Sequence, residues 1–217
     1  MKKNNIFIFH PYPNEYGGTD RSIIKLINNL KNSKINYISL RPVKYKKILK
    51  KNISYFIIKK KRSIFSIFDI IKILKTNLKS NYKNIFISNQ NYANIVAIIV
   101  KFFFNKFKLI LIERNHLDEL KNYFNLIDYF KKKILILLMK ILYKKSDAII
   151  GVSKKLSYDL SRLVNKEIIT IYNPASDFSS IKNIKPKKYK KKIGLNILSV
   201  GHLTYQKDYS TTFKALK

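Results

Sequence analysis

Ile6-Phe7-Ile8-Phe9 is apolar at every position and closes on His10-Pro11. A strand with one solvated face alternates polar and apolar residues, so a short unbroken run reads as a strand covered on both faces, as in parallel sheets. The next loop carries Gly17-Gly18, and from about Thr19 the period changes. Ile23, Ile24, Ile27 and Leu30 then form a helical stripe, with Thr19 or Asp20 as the expected N-cap. Strand, glycine loop and helix, in that order, open a doubly wound fold.

The alternation continues. Strands are predicted at Asn36–Leu40, Ile53–Ile58, Asn84–Ser88, Lys108–Ile112, Ala148–Gly151 and Ile168–Tyr172. Helices are predicted at Ile64–Leu78, Tyr92–Phe104, Leu126–Lys145 and Ser153–Val164. This order implies an α/β, Rossmann-like, doubly wound parallel sheet. Asn173-Pro174 ends it, and the Lys-, Ser- and Asn-rich stretch beyond reads as a linker. A new strand at Leu195–Gly201 and a helix from Tyr205 to Lys217 then begin a second sheet. The expected organisation is residues 1–174 as one domain, 175–193 as linker, and 194–217 as the first β-α unit of a second Rossmann-like domain.

Composition narrows the class. Hydrophobic residues make up 46% and aromatics 13%, enough for a packed core and against disorder. The net charge of +33 would by itself suggest nucleic acid or anionic lipid. However, Lys is abundant alongside Ile, Asn, Phe and Tyr, all with AT-rich codons, so biased coding accounts for much of the excess. No nucleic-acid recognition motif is present, and no nucleic-acid partner is expected. What remains is a cationic surface that should adhere to anionic membranes at low salt.

The chain has no cysteine, which excludes disulfides and thiolate metal sites. The apolar stretch near the amino terminus is too short for a signal peptide, so a cytoplasmic location is expected. Ala93–Ile112 is interrupted by Lys101, Asn105, Lys106 and Lys108, and Ile134–Tyr143 is too short to span a bilayer. The latter, flanked by Lys131-Lys132-Lys133 and Lys144-Lys145, fits either a helix resting on lipid or a core helix with solvated ends. Its nearly all-apolar middle favours the core helix.

Three segments could carry chemistry. At Gly17-Gly18, backbone N–H groups can approach a phosphate or sugar hydroxyl at a helix N-terminus; a tight turn is the plainer reading. Glu113-Arg114-Asn115-His116 leaves the end of an apolar strand, where open α/β sheets bind ligands; a solvated strand exit is the alternative. Val200-Gly201-His202-Leu203 with Lys207 opens the second sheet, where a lysine can neutralise a leaving diphosphate. His10, His116 and His202 are too dispersed for a His-x-x-x-His pair, and no metal is expected.

Together these landmarks resemble the family-4 retaining glycosyltransferases, which have the GT-B fold of two facing Rossmann-like domains. Pro13-x-x-x-Gly17-Gly18 is similar to that family's first loop, and Arg114-x-His116 to its mid-domain pair. Ser146-Asp147-Ala148-Ile149-Ile150-Gly151-Val152-Ser153, Ile171-Tyr172-Asn173-Pro174 and Val200-Gly201-His202-Leu203 with Lys207 follow in the family's order.

The resemblance implies an acceptor-side domain at 1–174 and the start of a donor-binding domain at 194–217. It implies sugar transfer from a nucleotide-diphosphate sugar to a polysaccharide or glycolipid acceptor, with retention and no cofactor. The work would be done on the cytoplasmic side, peripherally at the plasma membrane. Gly17 and Gly18 would line the cleft near the donor sugar and phosphate, His116 would touch the transferred sugar, and Lys207 would face the diphosphate. His202 stands where the family has a phosphate-binding arginine, and Asp208 where it has glycine. Histidine is only partly cationic at neutral pH, so weaker donor binding is expected. The family's paired glutamates would lie beyond residue 217, which implies a truncated or split enzyme. The alternatives are an inactive sugar- or lipid-binding remnant of the same domain and, from charge alone, a basic nucleic-acid-binding protein.

Overall fold

The computed structural model describes residues 3–14, 17–49, 53–174, 197–201 and 208–216. The chain divides into two units, Met1–Ala175 and Ser176–Lys217. The first holds seven strands: β1 (Asn4–Phe9), β2 (Ser33–Ser39), β3 (Ile53–Ile57), β4 (Lys83–Asn89), β5 (Lys108–Glu113), β6 (Ala148–Gly151) and β7 (Ile169–Thr170). All six pairings are parallel, in the order β3-β2-β1-β4-β5-β6-β7. The helices are α1 (Gly18–Asn29), α2 (Ile67–Asn77), α3 (Asn91–Phe103), α4 (Leu126–Leu142) and α5 (Lys154–Val164).

β1 lies inside the sheet and buries both faces, which is why its sequence does not alternate. Phe7 and Phe9 belong to the larger buried core, which also takes in Ile70 of α2, Val96 of α3, Met139 of α4 and Leu160 of α5. Ile6 and Ile8 face the other way, onto Ile23 and Ile27 of α1 and onto Tyr37 and Tyr45. β1 and β4 are neighbours, yet the chain leaves β1 toward β2 and leaves β4 toward β5. Their carboxyl ends therefore flank the topological switch point, the crevice where doubly wound sheets accept ligands.

Several sequence expectations are adjusted. Gly17 is the N-cap of α1, in place of Thr19 or Asp20, because Asp20 turns inward to His10. The helix expected over Ile64–Leu78 is a 3-10 turn, Ser63–Ser66, running into α2. Leu126–Lys145 is α4 followed by a 3-10 turn at Tyr143–Lys145. The core-helix reading of that segment is also corrected. Within α4 only Leu135 and Met139 are buried, while its outward face is apolar and exposed.

In the second unit, Ile197–Gly201 of the strand expected at Leu195–Gly201 carries no regular structure; Leu195 and Asn196 lie outside the described residues. No strand among the described residues pairs with it, and a parallel strand needs a ladder partner. A helix is present at Tyr209–Ala215, capped by Asp208.

A polar ladder unseen in the sequence ties three strands together. Asn36 Nδ2 donates to Asn5 Oδ1 at 2.8 Å, and Asn5 Nδ2 donates to Asn84 Oδ1 at 2.8 Å and to the Asn77 carbonyl at 3.0 Å. Asn5 and Asn36 are fully buried, so each lost bond leaves a desolvated group. Asn5→Ala is expected to lower the unfolding free energy by about 2–4 kcal/mol in urea titrations followed by far-ultraviolet circular dichroism. A change below about 0.5 kcal/mol would show that the ladder contributes nothing net.

Candidate functional site

The site begins where β1 stops. His10 continues the pairing by one residue, its N–H donating to the Ile38 carbonyl, and its buried ring lies with Nε2 3.0 Å from Asp20 Oδ1. The same oxygen accepts from Asn14 N–H at 2.9 Å and from the Tyr45 hydroxyl at 2.9 Å. Tyr45 in turn pairs with the Tyr37 hydroxyl at 2.7 Å. Burial alone would raise the Asp20 pKa, but His10, Asn14 and Tyr45 together hold it below the usual carboxylate value. Burial, reinforced by Asp20's charge, pushes both tyrosines well up, so they stay neutral donors.

This carboxylate separates the roles of the two glycines. A Cβ at Gly17 would sit 2.6 Å from Asp20 Oδ2, so Gly17 is fixed by packing. A Cβ at Gly18 would meet nothing within 4 Å, so the first turn of α1 is open there. Asp20 also brings its own negative charge into that first turn and offsets part of the helix's positive end.

β4 supplies the other wall of the switch point. Ser88 and Asn89 end it fully buried, and Ser88 is the registered neighbour of Phe9. Gln90 follows with φ 75° and ψ 151°, a region that side chains other than glycine's enter only under strain. It is held there by its N–H to the Ile112 carbonyl at 3.0 Å and its carbonyl to Asn94 N–H at 2.8 Å. His10 Nδ1, Ser88 Oγ and Asn89 Nδ2 are buried polar atoms with no hydrogen-bond partner among the described residues. Buried orphans are uncommon, and three of them line the end of one strand pair.

The exit of β5 divides into two roles. Glu113 is an internal anchor: Oε1 accepts from Asn94 Nδ2 and from the Tyr143 hydroxyl, both at 2.6 Å. Complete burial pushes its pKa up to about 7, against the opposing pull of Tyr143, Asn94 and Arg114.

Arg114 faces the rim. Its Nη2 lies 3.2 Å from Asn89 Oδ1 and its Nη1 donates to Asn173 Oδ1 at 2.5 Å. Ser22 Oγ on α1 stands 3.1 Å from the same Asn173 oxygen and 3.0 Å from the Gly18 carbonyl. One polar chain thus joins Gly18, Ser22, Asn173, Arg114 and Asn89, drawn from the exits of β1, β7, β5 and β4. Burial lowers the Arg114 pKa while the charges of Asp20 and Glu113 oppose it, and a guanidinium stays cationic.

His116 sits two residues on, as N-cap of the 3-10 turn Leu117–Leu120. Its Nδ1 accepts from Asp118 N–H at 3.3 Å, and its Nε2 lies 3.1 Å from Asp159 Oδ2 of α5, off the line of a hydrogen bond. Its ring thus engages acids of the turn and of α5, and it is not part of the chain through Asn173. His202 and Lys207 lie outside the described residues. No cluster of three or more His, Cys, Asp or Glu among the described residues could hold a metal ion. Sequence reading misses Ser22, Asn89 and Gln90; only their places at strand and helix ends could have flagged them.

Two expectations follow from this geometry. Gly17→Ala should lower thermal stability by several degrees, the order of 1–2 kcal/mol, whereas Gly18→Ala should leave it unchanged or raised. Equal effects would contradict the separation of roles. Glu113 ionises near 4.5 when unfolded but near 7 when folded, so the fold holds an extra proton between those values. The stability it contributes is complete below the unfolded value and is lost as pH rises through about 7. Glu113→Gln should therefore match the parent near pH 4 and exceed it by about 3 kcal/mol near pH 8 in urea titrations. A constant difference across that range would contradict the burial argument.

No protein-family model and no curated protein matches the chain. Solved structures do. A lipopolysaccharide outer core galactosyltransferase, WaaB, in its apo form superposes with TM-score 0.54 at 17% identity over 86% of this chain and 50% of its own. Anabaena HepE, in complex with UDP and glucose, gives 0.54 at 12% identity over 82% of this chain and 48% of its own. Sucrose-phosphate synthase from Thermosynechococcus elongatus gives 0.50 at 11% identity, covering 82% and 93%. The chain spans about half the length of the first two. At these identities the likeness speaks of the fold alone, an α/β, Rossmann-like parallel sheet.

Proposed function

We propose that this chain is the acceptor-side domain, with part of a donor-binding domain, of a retaining family-4-type glycosyltransferase. The reaction moves a sugar from a nucleotide-diphosphate sugar to a polysaccharide or lipid-linked acceptor at an anionic membrane surface, without a cofactor. The observation that carries this reading is the polar chain from Gly18 through Ser22 and Asn173 to Arg114 at the carboxyl rim. It collects a cation, an open helix turn and orphaned polar atoms where a sugar and its phosphates need partners.

Within this reading Gly18 leaves room for the donor's phosphates or sugar, while Gly17 keeps Asp20 in place. Arg114 orients polar groups at the crevice. His116 contacts the transferred sugar, its ring steadied by Asp118 and Asp159. Lys207, with His202, stabilises the diphosphate as charge builds on it, the role a metal ion fills elsewhere.

The test is release of UDP or GDP from their sugar conjugates with glycan acceptors, by the chain alone and with a donor-binding domain added. Turnover is expected that falls on the order of 100-fold in His116→Ala and Lys207→Ala without loss of fold. Absence of turnover in every combination would overturn transfer. Retained sugar binding would then favour the inactive remnant, and tighter binding to DNA than to anionic vesicles the nucleic-acid reading.

A further inference from the structure

α4 turns two faces to its surroundings. Leu135 and Met139 point into the core, as does Tyr143 just after the helix. On the opposite side Leu126, Ile127, Phe130, Ile134, Leu137 and Ile141 are each more than half exposed. At 100° per residue these six fall within an arc of roughly 100°, a stripe along nearly the whole helix, which is roughly 25 Å long. Surface stripes of large apolar side chains on this scale mark an interaction site. α4 is too short and too basic to cross a bilayer, and no described helix is long and apolar enough to do so.

Charge decides what the stripe meets. Lys131, Lys133 and Lys140 border it and Lys144-Lys145 close its end, all exposed. Asp128, the one acid in α4, faces inward to Lys132 at 2.8 Å. A second copy docking face to face would bring these lysines against their own counterparts, on a chain already carrying +33. An apolar stripe bordered by lysines complements an anionic bilayer, with the stripe among acyl chains and the ammonium groups at the headgroups.

Beside the stripe runs a groove of ≈ 540 Å³, lined by Ile134, Leu138, Ile95, Tyr92 and Tyr12 together with Arg62 and Lys131. Tyr12 follows β1 and Tyr92 begins α3, so the groove starts from the same end of the sheet as the polar rim.

We propose that the outer face of α4 and this groove form one lipid-binding surface, which lays the domain on an anionic phospholipid bilayer with its carboxyl rim beside the membrane. This deepens, and rests on, the membrane part of the function proposed above. A lipid-linked acceptor held this way has its chain in the groove and its head at the rim.

The test reads lipid binding without sugar transfer, so either can fail alone. The full chain is sedimented with vesicles of equimolar phosphatidylglycerol and phosphatidylcholine, and with phosphatidylcholine alone. Binding to the anionic vesicles is expected to persist in part at about 0.5 M salt, where charge attraction is screened. Phe130→Ser with Leu137→Ser, both outward-facing, should lower that salt-resistant binding at least tenfold with unchanged circular dichroism. Lys133→Gln with Lys140→Gln should lower binding several-fold at low salt.

The chain has no tryptophan, so Leu137→Trp is a clean reporter. Its emission should be quenched by brominated-chain lipids, whereas Tyr158→Trp on α5 should not be. Binding that vanishes entirely with salt, or is indifferent to the serine pair, would show bulk charge alone and overturn the proposal. So would a concentration-dependent dimer in sedimentation velocity that the serine pair abolishes.

Discussion

The buried carboxylate of Asp20 holds the upper edge of this domain together. One oxygen takes donors from the end of β1, from the following loop and from Tyr45, and thereby fixes where α1 starts. The other lies so close to Gly17 that no side chain fits there. With α1 seated, Ser22 reaches Asn173 and Arg114 reaches the same oxygen from β5. Strands far apart in sequence are thus joined at their carboxyl ends by polar contacts, while the core below holds them by apolar packing.

How much of this was legible depends on whether the cause is local. β1 and β5 are readable because burial on both faces removes alternation, and α5 because Leu156, Leu160 and Leu163 recur at helical spacing, although Val164 and not Leu163 is the third apolar residue that is buried. The segment Ser146–Ser153 is recognisable, and each conspicuous residue in it has a structural task. Asp147 accepts Leu109 N–H at 2.7 Å and pairs with Lys101 and Lys108. Gly151 leaves room for Ser157, whose Cα would lie 3.2 Å from a Cβ there, and Ser153 caps α5.

The remainder is non-local. Asp20, Tyr37 and Tyr45 meet only after β2 has paired, and the Asn5 ladder needs three strands in register. Arg114 and Asn173 each stand out in the sequence, but nothing in it says that they bond across 59 residues. α4 misleads for the opposite reason: an apolar stretch looks like core, and only the fold shows which of its faces is covered.

On the proposed function, the exits of β1, β4 and β5 act as one ligand-binding rim. The most direct measurement is a titration of isotopically labelled chain with UDP-glucose and GDP-mannose, followed by amide nuclear magnetic resonance. The largest shifts should fall together on Gly18, Ser22, Asn89, Gln90 and Arg114, saturating with a common affinity. Shifts that spare these residues while other parts of the surface respond and saturate would contradict it.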